Sequence, residues 1–426
     1  MLRRGCDRNA PLAWSCTGVL IPPILEIYVL WHPDDGDGAR IFTELFDHFH
    51  GTTFSGLVGG AVEVYERSQG WRGPGTPPRP LPFVEPLPNG LPQAAITVVV
   101  PVLGTHLARA AEDDGTWRAY LETLLAANPA GSSVGIFGLR VDPAAVGPGT
   151  VLGRLFPTQT LAASATTSAA ALSRDLAHSI AGLIGDPFGE RLQVFISHTK
   201  RYSPDEEPDA VLSLVRLIRE VLGSTHMSAF FDEADLQPGS NWEEELVREA
   251  ATSGLLVVRT DLYATRDWCQ REVLIAKRAD MPIVVLQALH RGEERGSFLM
   301  DHLPTVPFHG GTEQEMRASI EQALNQLVDE ALKRALWNQQ RSRMESYGFD
   351  WLPSNAPEPL TLVGWLGARD PALGSRDQLL VLHPDPPLGE VEVSAIDEIL
   401  STAGFPGRVE ILTPRTFANR GGQVRP

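Results

Sequence analysis

Short apolar runs alternate with amphipathic segments through most of the chain, and this alternation predicts its fold. In the first part of the sequence, the strand candidates are residues 25–31, 95–103 and 133–141, and the helix candidates are residues 39–49, 116–125 and 172–184. Strands that alternate with helices are typical of a parallel α/β sheet. We therefore predict a leader over residues 1–24, followed by an N-terminal α/β domain over residues 25–186.

The same alternation begins again after a short linker and predicts a second α/β domain over residues 190–337. Its strand candidates are residues 192–197, 227–231, 255–258, 282–286 and 305–308, and its helical segments include residues 211–222, 268–277 and 312–337. Five strands interleaved with helices predict a doubly wound parallel sheet, which binds ligands at the carboxyl ends of its strands. Ser197 and His198, the loop after Phe231 and the segment before Trp268 lie at such ends, so we expect them to converge on one cleft.

The remaining residues predict a smaller α/β segment. A polar, proline-containing linker is expected over residues 338–359, and the C-terminal segment over residues 360–426. Its strand candidates are residues 362–365, 378–382 and 409–412, and its helix candidate is residues 391–400.

Composition excludes several kinds of partner. The 426-residue chain is 43% hydrophobic and carries a formal net charge of -17, without a Lys/Arg cluster dense enough to neutralise a phosphate backbone. We therefore expect no direct binding to nucleic acid. Its three cysteines are odd in number and lack C-x-x-C spacing, which indicates neither a disulfide framework nor a zinc site and fits a reducing cytoplasm.

Two features mimic other classes of protein. The acidic run at residues 34–38 resembles a calcium loop, but Leu45 stands where the closing glutamate would be expected, so we predict no metal site. The N-terminal apolar run resembles a signal peptide, but Pro22, Pro23 and Glu26 interrupt it. No other apolar run approaches the roughly 20 residues that cross a bilayer. We expect a soluble, cytoplasmic protein.

Residues 265–277 carry the candidate chemistry. In a helix, Trp268 and Glu272 stand four positions apart on one face, which places an aromatic ring beside a carboxylate. Such a pair can hold a cationic ring and meet a developing positive charge. The plainer interpretation of an isolated W-x-x-x-E is a partly buried tryptophan beside a solvated glutamate, so the surrounding motifs decide between the two.

Three motifs in order and at matching spacing resemble the TIR (Toll/interleukin-1 receptor) domain family. They are VFISH at residues 194–198, FFDEADLQPGSNW at 230–242 and WCQRE at 268–272. The resemblance covers about residues 191–337 and implies a flavodoxin-like doubly wound sheet. It also implies cleavage of NAD+ with Glu272 as the catalytic residue. The residues that it implies for lining the dinucleotide site are Trp268, Ser197, His198, Lys200 and Asp232.

Each of these positions has a simpler structural explanation. Ser197 and His198 can end a strand in solvent, Asp232 can cap its own loop, and Cys269 can be a small packing residue. Glu272 is the position at which the functional interpretation is the stronger one, because departure of neutral nicotinamide needs no general acid and one carboxylate can suffice. Ordinary glycosidases need two.

The resemblance implies a regulated enzyme that acts on NAD+ as substrate and uses no cofactor. It would be an NAD+ glycohydrolase or ADP-ribosyl cyclase in antiphage defence, controlled by self-association of TIR domains and by an unidentified activating ligand or sensor protein. The alternative is a non-catalytic scaffold that mediates TIR-to-TIR assembly. The N-terminal domain has a similar strand and helix order but no W-C-x-x-E, so we hypothesise that it is a degenerate TIR-like domain with a regulatory or assembly role.

Overall fold

The chain divides into two compact units. The computed structural model describes residues 24–51, 53, 54, 62–69, 76–85, 93–113, 115–127, 133–157, 160–163, 168–185, 192–199, 208–225, 227, 229–231, 242–345, 348–368, 378–404 and 408–420. The first unit comprises Met1–Ser173, Leu336–Ala356 and Pro371–Pro426, and the second comprises Arg174–Ala335 and Pro357–Asp370. The first unit thus joins N-terminal and C-terminal parts of the sequence. The domain boundaries proposed from the sequence stay predictions.

The N-terminal part of the chain contains six strands and five helices among its described residues. The strands are β1 (Leu25–Leu30), β2 (Val62–Arg67), β3 (Ile96–Leu103), β4 (Val134–Ile136), β5 (Leu139–Arg140) and β6 (Leu161–Ala162). The helices are α1 (Gly36–Phe49), α2 (Thr105–Asp113), α3 (Gly115–Ala126), α4 (Val151–Leu155) and α5 (Ala169–Ile184). The strands pair in parallel in the order β2-β1-β3-β5-β6, and β4 also pairs with β3.

Three details of this sheet differ from the sequence prediction, one of which is the two-residue strand β6, which was not predicted. The predicted strand over residues 133–141 is broken into β4 and β5, which together occupy the place beside β3. Strand β2 was not predicted, because its sequence VEVYER mixes charged with apolar residues at the edge of the sheet. A central strand such as β3 is buried at every position and therefore has the stronger apolar signal.

Asp35 joins the loop after β1 to the start of α2. Its two carboxylate oxygens accept hydrogen bonds from the backbone N–H groups of His106 and Leu107, each at 2.9 Å. This cap satisfies donors that a helix cannot satisfy internally. Gly104 makes room for it, because a Cβ at this position would lie 2.6 Å from the Asp35 carboxyl carbon. The loops after β1 and β3 are thereby held together.

The second unit contains the predicted five-stranded doubly wound sheet. Its strands are β7 (Gln193–Ser197), β8 (Ala229–Phe231), β9 (Gly254–Arg259), β10 (Ile283–Gln287) and β11 (Thr305–Pro307). Its helices are residues 174–184 of α5, α6 (Pro208–Gly223), α7 (Trp242–Thr252), α8 (Asp267–Arg278), α9 (Glu313–Glu345, of which residues 313–335 belong to this unit) and α10 (Pro359–Ala368). All strand pairs are parallel, in the order β8-β7-β9-β10-β11. This is the flavodoxin-like order 2-1-3-4-5.

Helix α9 continues beyond Trp337, where the sequence predicted the end of the closing helix. It is 33 residues long, but it is polar on average. In the part of the chain that the structure describes, no helix combines the length and the apolarity that crossing a membrane requires.

The predicted strand over residues 362–365 is wrong, because this segment lies within helix α10. A short apolar run does not distinguish a buried strand from a helix. Pro359 at the first helical position has a φ angle suited to a helix, and the Thr361 hydroxyl accepts a hydrogen bond from the Glu358 N–H at 3.2 Å. Lys277 holds the Glu358 carboxylate with contacts of 2.9 and 3.0 Å. The start of α10 is thus fixed by local and tertiary bonds.

The C-terminal part forms a small parallel pair of strands. Its elements are β12 (Gln378–Leu382), α11 (Glu390–Thr402), β13 (Arg408–Leu412) and α12 (Pro414–Asn419). They confirm the predicted strands and helix there and add α12. An apolar cluster includes Trp337, Phe349, Leu382 and Phe417.

We expect the free energy of unfolding around α2 to fall by about 2 kcal/mol in Asp35→Ala, because two backbone donors lose a charged acceptor. Hydrogen exchange of a peptide covering residues 105–113 should accelerate about 30-fold. The exposed Asp47→Ala variant is the control and should change this exchange no more than about two-fold. Unchanged exchange in Asp35→Ala would show that the cap does not stabilise α2.

We expect His383 to make the C-terminal pair of strands sensitive to acid, because the ring is buried. Burial lowers the pKa of His383, while the Pro384 carbonyl, which accepts from Nδ1 at 2.7 Å, and Asp385 oppose this shift. Below about pH 6.5 the unfolded chain takes up a proton that the folded chain resists, so stability falls as pH falls. Hydrogen exchange of residues 378–382 should show that the free energy of unfolding falls by up to about 1 kcal/mol between about pH 6.5 and pH 5.5. His383→Asn should remove most of this dependence, and a dependence that survives would contradict the assignment.

Candidate functional site

The candidate site lies where the strand order of the second unit reverses. β7 pairs with β8 on one side and with β9 on the other, and the crevice at such a switch point is the usual ligand site of an open α/β sheet. Ser197 is the last residue of β7, and α8 begins shortly after the end of β9. Ser197 and Glu272 therefore meet, although 75 residues separate them.

A chain of hydroxyl groups connects Glu272 to the interior. The Ser197 hydroxyl donates a short hydrogen bond to Glu272 Oε2, and its oxygen lies 2.5 Å from the Tyr263 hydroxyl. Because a carboxylate only accepts, Ser197 donates to Glu272 and Tyr263 donates to Ser197. Ser197 and Tyr263 are 1% and 0% exposed, whereas Glu272 is half-buried. We call Ser197, Tyr263, Cys269 and Glu272 the Glu272 cluster.

Tyr263 stays protonated and so remains a donor. Burial raises the pKa of Tyr263 well above its ordinary value, and the negative charge of Glu272 adds to the shift. The Cys269 carbonyl lies 3.5 Å from the tyrosine hydroxyl and is a weaker partner than Ser197. The Tyr263 side chain is fully buried, and its hydroxyl supports Ser197.

Local hydrogen bonds hold the segment that carries Tyr263 and Glu272. Asp261, the second residue after β9, accepts from the backbone N–H groups of His290, Arg291 and Gly292 at 2.9, 3.0 and 3.2 Å. These bonds tie the loop after β10 to the loop after β9. Gln270 donates from Nε2 to the Ala264 carbonyl at 2.6 Å, which fixes the first turn of α8 against the short 3-10 turn that precedes it. The half-buried Glu272 is thus carried on an anchored helix.

Cys269 behaves as a packing residue. Burial, and secondarily the charge of Glu272, raise the pKa of the Cys269 thiol well above its ordinary value, so the thiol is protonated and is a poor nucleophile. Its Sγ lies 3.8 Å from the His198 carbonyl oxygen, to which it can donate. The His198 backbone is therefore next to α8, while its half-buried ring has Nδ1 at 3.4 Å from the Thr199 carbonyl.

Trp268 lies one turn before Glu272 on α8, as predicted, but its ring already contacts a cation. The guanidinium carbon of Arg271 is 4.9 Å from the Trp268 ring centroid. The tryptophan is half-buried. A cationic ligand ring that stacked on Trp268 would share the indole with Arg271 or displace it, which the sequence pattern did not indicate.

The remaining predicted site residues, Lys200 and Asp232, lie outside the described residues. Tyr263 is the contact that sequence reasoning missed. It stands six positions before Cys269, in no motif of its own, and its only signal was a polar aromatic residue just after a buried strand. Its importance becomes visible when the fold brings its hydroxyl to Ser197.

A groove of about 880 Å³ opens at the carboxyl edge of the same sheet. Helix α6, the start of α9 and the ends of β9, β10 and β11 line it, with Arg216, Thr260, His290, Phe308 and Glu313 among the lining residues. None of its described lining residues belongs to the Glu272 cluster. The groove and the cluster are therefore two distinct features of this edge.

The fold and the motifs define a class of domain. The second unit is a flavodoxin-like parallel sheet with a half-buried carboxylate at its switch point. Residues 194–324 match the family model described as TIR domain, which agrees with the resemblance seen in the sequence. The second unit therefore contains a TIR domain. No curated protein matches the chain.

We expect Tyr263→Phe and Ser197→Ala to be energetically coupled, because their hydroxyls share one hydrogen bond in the interior. Each single change should lower the free energy of unfolding by about 1 kcal/mol. The double variant should be about 1 kcal/mol more stable than the sum of the two changes predicts. Hydrogen exchange of residues 192–199 measures the free energy of unfolding of the wild type, the two single variants and the double variant. Additive effects would mean that the two hydroxyls do not interact.

Proposed function

We propose that the TIR domain cleaves the bond between nicotinamide and ribose in NAD+, releasing nicotinamide by hydrolysis or by cyclisation of the ADP-ribosyl product. The observation that carries the proposal is Glu272, a half-buried carboxylate at the switch point of the sheet, oriented by a buried serine that a buried tyrosine supports in turn. Ligand sites in open α/β sheets occupy this position. NAD+ enters as substrate, and the reaction needs no further cofactor.

In this proposal, the reaction requires one carboxylate from the protein. When the C1′–N bond breaks, the electron pair leaves with the nitrogen, and the positive pyridinium departs as neutral nicotinamide. Positive charge then develops on the ribose, where a carboxylate fixed in advance stabilises it. Glu272 supplies that charge and can accept hydrogen bonds from ribose hydroxyls. Ser197 and Tyr263 keep the carboxylate from turning away, since its Oε2 is held by the serine hydroxyl.

Trp268 would contribute to binding more than to bond cleavage. Its ring can attract the pyridinium while that ring is positive, a contact worth about 0.5 to 2 kcal/mol. The attraction ends when nicotinamide becomes neutral, which favours product release. Arg271 competes for the same ring. Sharing the Trp268 ring with Arg271 or displacing Arg271 from it is therefore part of substrate binding in this proposal.

The biological role that we propose is a regulated effector of antiphage defence in the cytoplasm. Unrestrained loss of NAD+ is toxic, so activity would wait for an activating ligand or sensor protein and for self-association of TIR domains. A purely structural TIR scaffold would self-associate in the same way but would not need Glu272. Activity with NAD+ separates the two functions.

We expect Glu272→Gln to reduce nicotinamide release at least about 100-fold, because the amide keeps the shape and the serine contact but removes the negative charge. Release is measured by chromatography after incubating purified protein with NAD+, in dilute solution and with a crowding agent. Glu294→Gln, a change of the same chemistry at an exposed position of the second unit, is the control and should retain activity.

The two functions give different outcomes in this assay. Release that survives Glu272→Gln would rule out Glu272 as the catalytic residue. Wild-type protein that self-associates under crowding and leaves NAD+ intact would instead favour the scaffold.

A further inference from the structure

A second group of chemically reactive side chains lies in the first unit, at the carboxyl ends of β1 and β3. His32 and Asp34 belong to the loop that follows β1, and His106 is in the first turn of α2, which follows β3. β1 pairs with β2 on one side and with β3 on the other. These residues therefore occupy the switch point of the first sheet, the position at which such folds bind ligands.

The three side chains are close enough to share one ion. One potential ligand atom from each of His32, Asp34 and His106 lies within 4.8 Å of the other two. His32 Nδ1 is 3.7 Å from Asp34 Oδ2, close to the separation of about 3.4 Å between two ligands bound at 2.0 to 2.1 Å around a tetrahedral ion. The imidazole rings of His32 and His106 are nearly parallel, with centroids 5.9 Å apart.

The backbone beneath the cluster is fixed independently of any ion. Asp35 accepts from the N–H groups of His106 and Leu107, so the loop that carries His32 and Asp34 is bonded to the helix start that carries His106. The Asp35 N–H in turn donates to the His32 carbonyl at 2.9 Å. These backbone hydrogen bonds thus bring the two histidines together, although 74 residues separate them in the sequence.

The His32 ring is partly enclosed, whereas the other two side chains reach into solvent. Its side chain is 12% exposed, compared with 71% for Asp34. It packs at 5.3 Å, between ring centroids, against Trp117, which is fully buried. A ligand already oriented by packing loses little conformational freedom on binding a metal, and the two exposed side chains can rotate to complete the coordination.

We infer that His32, Asp34 and His106 form a binding site for a single Zn²⁺-class divalent cation. Two imidazole nitrogens and one carboxylate suit zinc and its neighbours, such as cobalt and nickel, rather than calcium or magnesium, which prefer oxygen ligands. Three protein ligands leave a fourth position for water or an anion. The Asp34 N–H, 3.2 Å from His32 Nδ1, is the weak contact that an ion at Nδ1 would replace.

This site is independent of the proposed cleavage of NAD+ and was hidden from the sequence. The acidic run at residues 34–38 has the wrong spacing for calcium, and within it Asp35 is used to cap α2. The two histidines are not part of any motif of metal-ligand spacing. They become neighbours because parallel strands direct their following loops to one edge.

The test is binding of Co²⁺ and Zn²⁺ to the tag-free 426-residue protein after treatment with a chelator and dialysis. We expect one Co²⁺ per chain with visible d–d absorption of a four- or five-coordinate ion, displaced by Zn²⁺. His106→Ala and His32→Ala should each weaken Zn²⁺ binding at least about 10-fold. His309→Ala, which removes an exposed histidine of the second unit, is the matched control and should leave binding unchanged.

A second readout keeps the test decisive if a variant is destabilised. At a free Zn²⁺ concentration about 100 times the wild-type dissociation constant, hydrogen exchange of residues 105–113 should slow by up to about 100-fold in the wild type and by no more than about 10-fold in His106→Ala. Metal-free exchange of the variants shows whether they are folded. Absence of binding, binding that folded His32→Ala and His106→Ala variants retain, or one ion shared by two chains would each overturn the proposal.

Discussion

The rest of the structure depends on one constraint. In each sheet, the first strand pairs in parallel with both the second and the third strand. In the second unit this strand is β7, and in the first unit it is β1. Strands β1 and β7 are mostly apolar and buried, and the polar side chains of the two sites lie at or after their carboxyl ends. Because parallel strands end at one edge, residues far apart in the sequence are brought together there.

At the edge of the second unit, stability and the proposed chemistry share the same hydrogen bonds. Buried hydroxyls are costly unless they are paired, and the partners of Ser197 are Tyr263 and Glu272. The carboxylate that would meet charge on a substrate therefore also satisfies a buried donor. Because burial raises its pKa, Tyr263 keeps its proton and remains a hydrogen-bond donor in this arrangement.

The edge of the first unit uses its carboxylates differently. Asp35 turns inward and caps α2, and its oxygens are occupied by backbone donors. Asp34, the next residue back, remains exposed near two imidazoles. Similar strand orders thus support a glutamate bonded to a hydroxyl in one unit. In the other unit they support a group of side chains suited to bind a transition metal. The difference lies in the loops and not in the sheets, as is general for folds that host many functions.

Much of the fold follows from the sequence because buried central strands and amphipathic helices have strong local patterns. Strands β3, β9 and β10 and helix α8 were predicted for this reason. Edge strand β2 and helix α10 were not, since an edge strand has a mixed pattern and a short apolar run does not specify its conformation. For α10, the proline at its start and the bond from Lys277 to Glu358 decided the outcome.

For the candidate site, the sequence by itself determined the family resemblance and the position of Glu272, because the WCQRE motif is local and has the spacing of a helix turn. Only the tertiary structure decided that Ser197 holds Glu272, that Tyr263 supports Ser197, and that Arg271 covers Trp268. It likewise brought His32 to His106. The physical reason is that hydrogen bonds and ion ligands depend on distances of a few ångströms, which folding sets between residues that local patterns do not connect.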